Sequence, residues 1–476
     1  MQDKQNVTPR IMIGAPNGRS GKTMVSVGLC ALLHKNGLSV QPFKKGPDYI
    51  DASWLTAASG KACRNLDAYL MSKDVMISNF CKSSLGNDFA LIEGNMGLYD
   101  GFDGGEEGSS AHLARVLKTP VVLVVNTARM TRSIAALIKG YMDFEAGTNV
   151  TGVILNNVAG PRHEKKLSDA VERYCKIPVL GCIPRNQALA IHERHLGLVP
   201  FQEASSGTIG IERILRTIEK HLDIESLISI AKSAQDLPIS HSTTQQRPKV
   251  SVRIGVMMDH AFHFYYPENL EALEQEGAEL VLIDAIHDDK LEAIDGLYIG
   301  GGFPELYMSK LQLNETLRVQ IATSIEDGLP VYAECGGLIY LCDRIVIDGV
   351  PYTGVGAIPS SVEFFTKPQA HGYSKLEVKY ENPFYPVGMQ IYGHEFHYSR
   401  LTCAKGLHCA LELTRGQGID GKMDGIVYRN VFASYTHIHA SGTSSWAKSF
   451  VSVASRNKGI GKSAFEQESP REVGHG

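Results

Sequence analysis

Cys335 stands at the break in V-Y-A-E-C-G-G-L-I-Y-L (331–341), where an apolar run ends, two glycines follow and apolar residues resume. A cysteine at the turn from a buried strand into a helix lies at the carboxyl edge of a sheet, where nucleophiles are held. Cysteine is also among the most buried residue types, so a structural thiol is the alternative reading. A thiol nucleophile needs a base and donors for an oxyanion. I-G-G-G-F-P-E (299–305) ends another apolar run, and its Gly301 and Gly302 offer unencumbered amides. S-Y-T-H-I-H (434–439) supplies His437 and His439. Alternation along a strand puts both on one face, so periodicity does not choose between them. H-E-F-H (394–397) spaces its histidines three apart and is not H-E-x-x-H, which argues against a zinc site there.

A second set of residues suits phosphate chemistry. G-A-P-N-G-R-S-G-K-T (14–23) follows a short apolar strand and precedes a helical pattern. Its end matches a Walker A loop, with Arg19, Ser20, Gly21, Lys22 and Thr23 cradling phosphate at a helix N-terminus. Pro16 occupies the place of the first Walker glycine. Lys22 would neutralise phosphate charge and Thr23 would hold Mg²⁺. Carboxylates follow two later strand ends: Asp48 and Asp51 in F-K-K-G-P-D-Y-I-D, and Glu93 and Asp100 in A-L-I-E-G-N-M-G-L-Y-D-G. Thr23, Asp48 and Glu93 are the expected Mg²⁺ ligands. Lys44 and Lys45 would hold an acyl phosphate or a substrate carboxylate.

These residues need a sheet whose strand ends converge on one edge. Apolar runs of four to seven residues alternate with helix-length segments at 11–14, 39–43, 89–93, 121–125 and 150–156, the pattern of a doubly wound parallel α/β sheet. The alternation restarts at 252–257, 279–283, 297–302 and 331–335, in a second α/β domain. Between them, Q-D-L-P-I-S-H-S-T-T-Q-Q-R-P-K (235–249) is polar, has two prolines and reads as a linker. The expected division is a P-loop domain over 1–234, the linker, a second domain over 250–452 and a frayed tail over 453–476.

At 476 residues the chain exceeds one ordinary core. With 43% hydrophobic and 21% charged residues it has an ordinary soluble composition. A formal net charge of −4 argues against a dedicated nucleic-acid binder. No run approaches the roughly 18 apolar residues of a membrane span. Nine scattered cysteines without a C-x-x-C pair fit reduced thiols in the cytoplasm.

The motifs A-E-C-G-G-L, G-G-G-F-P-E and the late Y-x-H resemble the glutaminase domain of the cobyric-acid and cobyrinic-acid amide synthases. Q-P-F-K-K-G-P-D-Y-I-D, E-G-N-M-G-L-Y-D-G and G-H-E-F-H-Y-S narrow the resemblance to the cobyrinate a,c-diamide synthase family, over about residues 10 to 450. The resemblance implies a class I glutamine amidotransferase-like C-terminal domain and an N-terminal synthetase domain like that of dethiobiotin synthetase. It implies use of ATP, Mg²⁺ and L-glutamine to amidate two acetates of a tetrapyrrole, with cobyrinate, sirohaem or nickel sirohydrochlorin as the ring. It selects Cys335 as nucleophile and His437 as base, with an oxyanion hole near Gly301, Gly302 and Gly336. Asp48, Asp51, Glu93 and Asp100 fall in the synthetase site, and I-H-E-R-H-L-G-L-V-P (191–200) helps shape the macrocycle site. Oligomeric state is open, a homodimer being one option. The rival from another class is a P-loop partitioning or regulatory ATPase fused to an inactive glutaminase-like domain. A carboxylase or dethiobiotin-like synthetase is a second rival, and it would have no use for Cys335.

Overall fold

The computed structural model describes residues 8–186, 193–194, 197–204, 207–237, 249–402 and 406–458. Most of the expected linker, and residues 191–192 and 195–196 of the segment 191–200, lie outside these residues. The chain divides into two compact units, Met1–Thr243 and Thr244–Gly476.

The first unit is built on a seven-stranded sheet: β1 (Arg10–Gly14), β2 (Val40–Lys45), β3 (Arg64–Leu66), β4 (Phe89–Glu93), β5 (Val121–Asn126), β6 (Val150–Val158) and β7 (Val179–Pro184). The order is β3-β2-β4-β1-β5-β6-β7, and every pairing is parallel. The chain works outward to one side of β1 and then to the other, so the end of β1 lies at a topological switch point, where such sheets bind ligands. β3 and β7 are additions to the five strands expected from sequence. β3 is only three residues long and too short to show a period.

Helix α1 (Lys22–Lys35) leaves the loop after β1 and is buried along most of its length. Gly28 explains how: a Cβ there would lie 2.3 Å from Ile218 Cγ1, so the glycine lets helix Gly207–His221 cross at close range. α2 (Ile50–Ser59) follows β2 and carries Asp51 in its first turn.

The second unit has a ten-stranded sheet. Its first five strands in order, Ala278–Ile283, Val252–Met257, Gly296–Ile299, Val331–Glu334 and Val431–Ser434, are parallel. The remaining five, Met423–Tyr428, His408–Arg415, Ala370–Val378, Gln390–His397 and His437–Ile438, join antiparallel. The expectation of an α/β domain holds, with an antiparallel half that strand–helix alternation does not announce. The run 297–302 divides into Gly296–Ile299 and a two-residue strand, Gly301–Gly302, paired antiparallel with Phe262–Phe264.

The C-terminal helix Trp446–Asn457 runs through the expected start of the tail at 453. Trp446, Ala447, Phe450, Val451 and Ala454 are buried at helical spacing, so the last turn is held by packing.

Candidate active site

The register of the first sheet assembles the phosphate end. Lys44 on β2 is the direct cross-strand neighbour of Glu93 on β4, and Ile13, at the end of β1, is the neighbour of Glu93 on the other side. Lys44 Nζ is fully buried, donates to Glu93 Oε1 at 2.8 Å and Asp51 Oδ2 at 2.5 Å, and lies 3.7 Å from Asp48 Oδ2. Thr23 Oγ1 donates to Glu93 Oε1 at 2.7 Å and approaches Asp51 Oδ2 at 3.3 Å. Burial works against the Lys44 cation, but the charges of Asp51 and Glu93 outweigh it and hold its pKa well above the usual lysine value. Burial pushes Glu93 up, whereas Lys44 overcomes burial and draws Asp51 down. Asp48 is raised to about 7 by burial and by the charge of Asp51.

The loop before α1 takes its shape from β6. Gly21 has φ 103°, and a Cβ there would fall 2.3 Å from Asn156 Nδ2, which donates to Ser20 O at 2.9 Å. Ser20 Oγ donates to Asn17 Oδ1 at 2.7 Å, while Arg19, at φ 60°, is exposed. Lys22 Nζ donates to the carbonyls of Met96 at 2.6 Å and Asn17 at 3.2 Å. Burial, then the charge of Lys44, lowers its pKa to about 8. At Pro16, the carbonyl accepts the Tyr141 hydroxyl at 2.8 Å.

Some expected residues take other places. Asp51 rather than Asp48 reaches Thr23; Asp48 Oδ1 instead accepts the Asp51 N–H at 2.9 Å and so tethers the start of α2. Asp100 Oδ2 accepts the Gly97 N–H at 2.7 Å and braces the loop beside Lys22. Lys44 is enclosed by acids. Burial lowers Lys45, whose charge is met by Asp67.

At the cysteine end, strand Val331–Glu334 runs into helix Gly336–Leu341 through Cys335, which adopts φ 47°, ψ −96°. Such a conformation costs a non-glycine residue about 1–3 kcal/mol and is found where function demands it. It is pinned by the Cys335 N–H donating to Ser434 O at 2.7 Å and by its carbonyl accepting the Ile339 N–H at 3.0 Å. The glycines that follow are sterically required. A Cβ on Gly337 would lie 2.3 Å from Ile299 O, and one on Gly336 would lie 3.2 Å from Gly302 N. The Gly302 amide is therefore beside the start of this helix, and the two backbone segments can serve one oxyanion.

Gly301 does a different job. A Cβ there would fall 2.4 Å from His437 Cε1 and 3.3 Å from Nε2, so its bare Cα makes room for the imidazole. His439 goes elsewhere: its ring packs on Tyr266 with centroids 4.6 Å apart, and Nε2 lies 3.6 Å from Glu268 Oε2. The two histidines thus part company: the His437 ring lies against the glycine strand, while His439 packs on Tyr266. Cys335 Sγ lies 3.8 Å from Phe396 O, at the end of H-E-F-H. Burial, then the charge of Glu305, pushes its thiol well up from the usual value. A thiol shifted this way needs a base to take its proton if it is to act as a nucleophile.

Residues 11–199 match the CobQ/CobB/MinD/ParA nucleotide binding domain, and residues 253–444 match the CobB/CobQ-like glutamine amidotransferase domain. A cobyrinate a,c-diamide synthase of Magnetococcus marinus is 46% identical over 446 residues, which are 92% of this chain and 96% of that protein. The chain belongs to the cobyrinate a,c-diamide synthase family. Proteins of the same name from Methanosarcina acetivorans and Archaeoglobus fulgidus are each 40% identical, over 94% of this chain and 96% and 98% of theirs. As a member of this family the chain is a glutamine-dependent amidotransferase ligase, which removes the reading as a regulatory ATPase with an inactive second domain.

Sequence reading missed three residues that this family member uses to build its sites. Asn156, at the end of β6, locks the P-loop. His394 stacks on His437 with ring centroids 4.9 Å apart. Glu334 faces His437 Nδ1 at 3.6 Å. In sequence, Glu334 reads only as the strand end before Cys335, and His394 only as a rejected zinc ligand. Among the described residues, no helix is long and apolar enough to cross a membrane.

Proposed function

We propose that this protein converts the a and c acetates of cobyrinate to amides, using L-glutamine as nitrogen donor and ATP as activator, as a cytoplasmic step of cobalamin biosynthesis. The observation that carries the reading is the separation of labour. A thiol turn, a pair of backbone amides and a histidine meet in one unit, and a phosphate loop with buried acids forms the other.

In the glutaminase unit, His437 takes the Cys335 proton and the thiolate adds to the side-chain carbonyl carbon of glutamine. The oxyanion is held by the amides of Gly302 and Gly336. His437 returns the proton to the leaving nitrogen, ammonia departs, and water hydrolyses the γ-glutamyl thioester to glutamate. In the synthetase unit, a ring carboxylate oxygen attacks the γ-phosphorus of ATP and ADP leaves. Ammonia adds to the acyl phosphate and phosphate departs, leaving an amide; the second acetate follows the same course. Lys22 neutralises charge on the transferring group and Ser20 to Thr23 hold the phosphates.

The donors present suit Mg²⁺. Glu93 Oε2 is buried with no hydrogen-bond partner, and the Thr23 hydroxyl and Asp51 adjoin the same carboxylate. No cluster of three or more acidic, histidine or cysteine side chains among the described residues forms a metal site by itself. This accords with an ion that takes one or two carboxylates and completes its shell with substrate phosphates and water. Thr23 and Glu93 would hold the ion, and its chemistry would be charge neutralisation on the triphosphate.

Cobyrinate, sirohaem and nickel sirohydrochlorin, offered in parallel with ATP and glutamine, test the substrate. Mass spectrometry should find two acid-to-amide conversions on cobyrinate. Preferential diamidation of either other ring would replace it as substrate.

A further inference from the structure

The Glu334 carboxylate is fully buried at the end of strand Val331–Glu334, one residue before the nucleophile. Oε1 accepts the Ile438 N–H at 3.1 Å. Oε2 accepts the Tyr298 hydroxyl at 3.1 Å and faces His437 Nδ1 at 3.6 Å. Tyr298 is itself held by Asn269 Nδ2 at 3.3 Å, and Asn269 also bonds the Ile438 carbonyl at 2.9 Å and the Ala440 N–H at 2.7 Å. The acid therefore sits in a rigid cradle that also fixes the backbone on either side of Ile438.

A buried charge is costly unless something repays it. Two neutral donors, a hydroxyl and an amide, do not by themselves call for a full charge. The group that benefits from a full charge is the imidazolium that forms when His437 takes the thiol proton. His394, stacked on the other side of that ring, does not supply a charge: burial, then the charge of His437, holds its pKa well below the usual value.

We propose that Glu334 is the positioning residue of the glutaminase, accepting the His437 Nδ1 hydrogen so that Nε2 is free to take the proton of Cys335. The 3.6 Å separation closes to a hydrogen bond when glutamine binds, as catalytic contacts tighten in the substrate complex. The inference rests on the assignment of Cys335 and His437 made above. It places the carboxylate next to the nucleophile in the chain.

Glu334→Gln tests it. The Ile438 N–H cannot be re-aimed, so the amide oxygen must stay at the Oε1 position and the NH₂ turns toward His437. That donor stabilises the wrong tautomer, with Nδ1 as acceptor. Glutaminase kcat should fall at least about a hundredfold with KM within about twofold of wild type. The ring ¹⁵N signals of His437, assigned by their loss in His437→Ala, should report a hydrogen moved from Nδ1 to Nε2. Glu334→Asp keeps the charge and should retain more kcat than Glu334→Gln, at comparable thermal midpoints. The proposal is overturned if Glu334→Gln loses less than about threefold in kcat while His437→Ala is inactive. It is equally overturned if Asp and Gln lose kcat alike with matching falls in thermal midpoint, the mark of a merely structural acid. If His437→Ala itself stays active, the assignment of the base is what fails.

Discussion

At the phosphate end, Lys44 is buried among Asp51, Glu93 and Asp48, and its cation is stabilised by charges already in place. At the cysteine end, burial pushes the Cys335 thiol up from its usual value and the His394 imidazole down. The first region is organised to meet a ligand that brings fixed charge, so its own charges are paired in advance. The second, on the proposed mechanism, must create a thiolate and an imidazolium during the reaction, and it holds the Cys335 turn and the His437 ring beside the same glycine strand. Substitution should therefore act differently in the two. Removing a charge from the phosphate end leaves others uncompensated, while removing a group from the cysteine end costs rate with little loss of fold.

Lys22→Ala should have the largest effect, because it strikes the step common to both nitrogen donors. ADP release with either glutamine or ammonium salts should fall by at least about a thousandfold, the scale of losing a charge clamp on a transferring phosphoryl group. Near-normal turnover would remove the loop from the nucleotide site, Pro16 included.

Cys335→Ala divides the regions more sharply. Amidation with glutamine should vanish, and amidation with ammonium salts should persist, since the thiol belongs to a unit apart from the P-loop. A folded Cys335→Ala protein that ammonium salts do not rescue would break the comparison.

Smaller but more discriminating is the pair of histidines. His437→Ala should lower the glutaminase rate by roughly two to four powers of ten, the usual worth of general acid–base help. His439→Ala, whose partners are Tyr266 and Glu268, should lose much less. Steady-state rates on both purified variants decide it, and the reverse ranking would reassign the base.

The least effect is on the resting thiol. Its pKa is raised, so less thiolate is present at neutral pH than for an ordinary cysteine. Without glutamine, iodoacetamide labelling of Cys335, read by peptide mass, should be slow at about pH 7 and still climbing above the ordinary thiol value of about 8.5. A rate already on its plateau near neutrality would mean a preformed thiolate and no need for His437 to take a proton.

The phosphate loop was legible because its parts are contiguous: one strand, one glycine-bearing turn and one helix are encoded within residues 10–35. The turn at Cys335 was legible for the same reason, since an apolar run broken by E-C-G-G leaves little else for the chain to do. The acids are legible as a set, but sequence puts Asp48 beside Thr23 where the structure puts Asp51. Which of Asp48 and Asp51 reaches Thr23 depends on where α2 begins relative to β2, a matter of one helical turn. The antiparallel half of the second sheet was not legible, because pairing between strands distant in the chain is set by register and not by local period.

Sequence alone determined which residues could act, since a nucleophile in a tight turn and a lysine at a helix start declare themselves through their neighbours in the chain. Tertiary structure alone decided which of them act together. The His437 ring finds room beside the Cys335 turn because Gly301, 136 positions earlier in the chain, has no Cβ. Asn156 is recruited to the P-loop from the far end of β6. The physical reason is steric: catalytic geometry is set within a few tenths of an ångström by close packing between segments that local sequence does not connect.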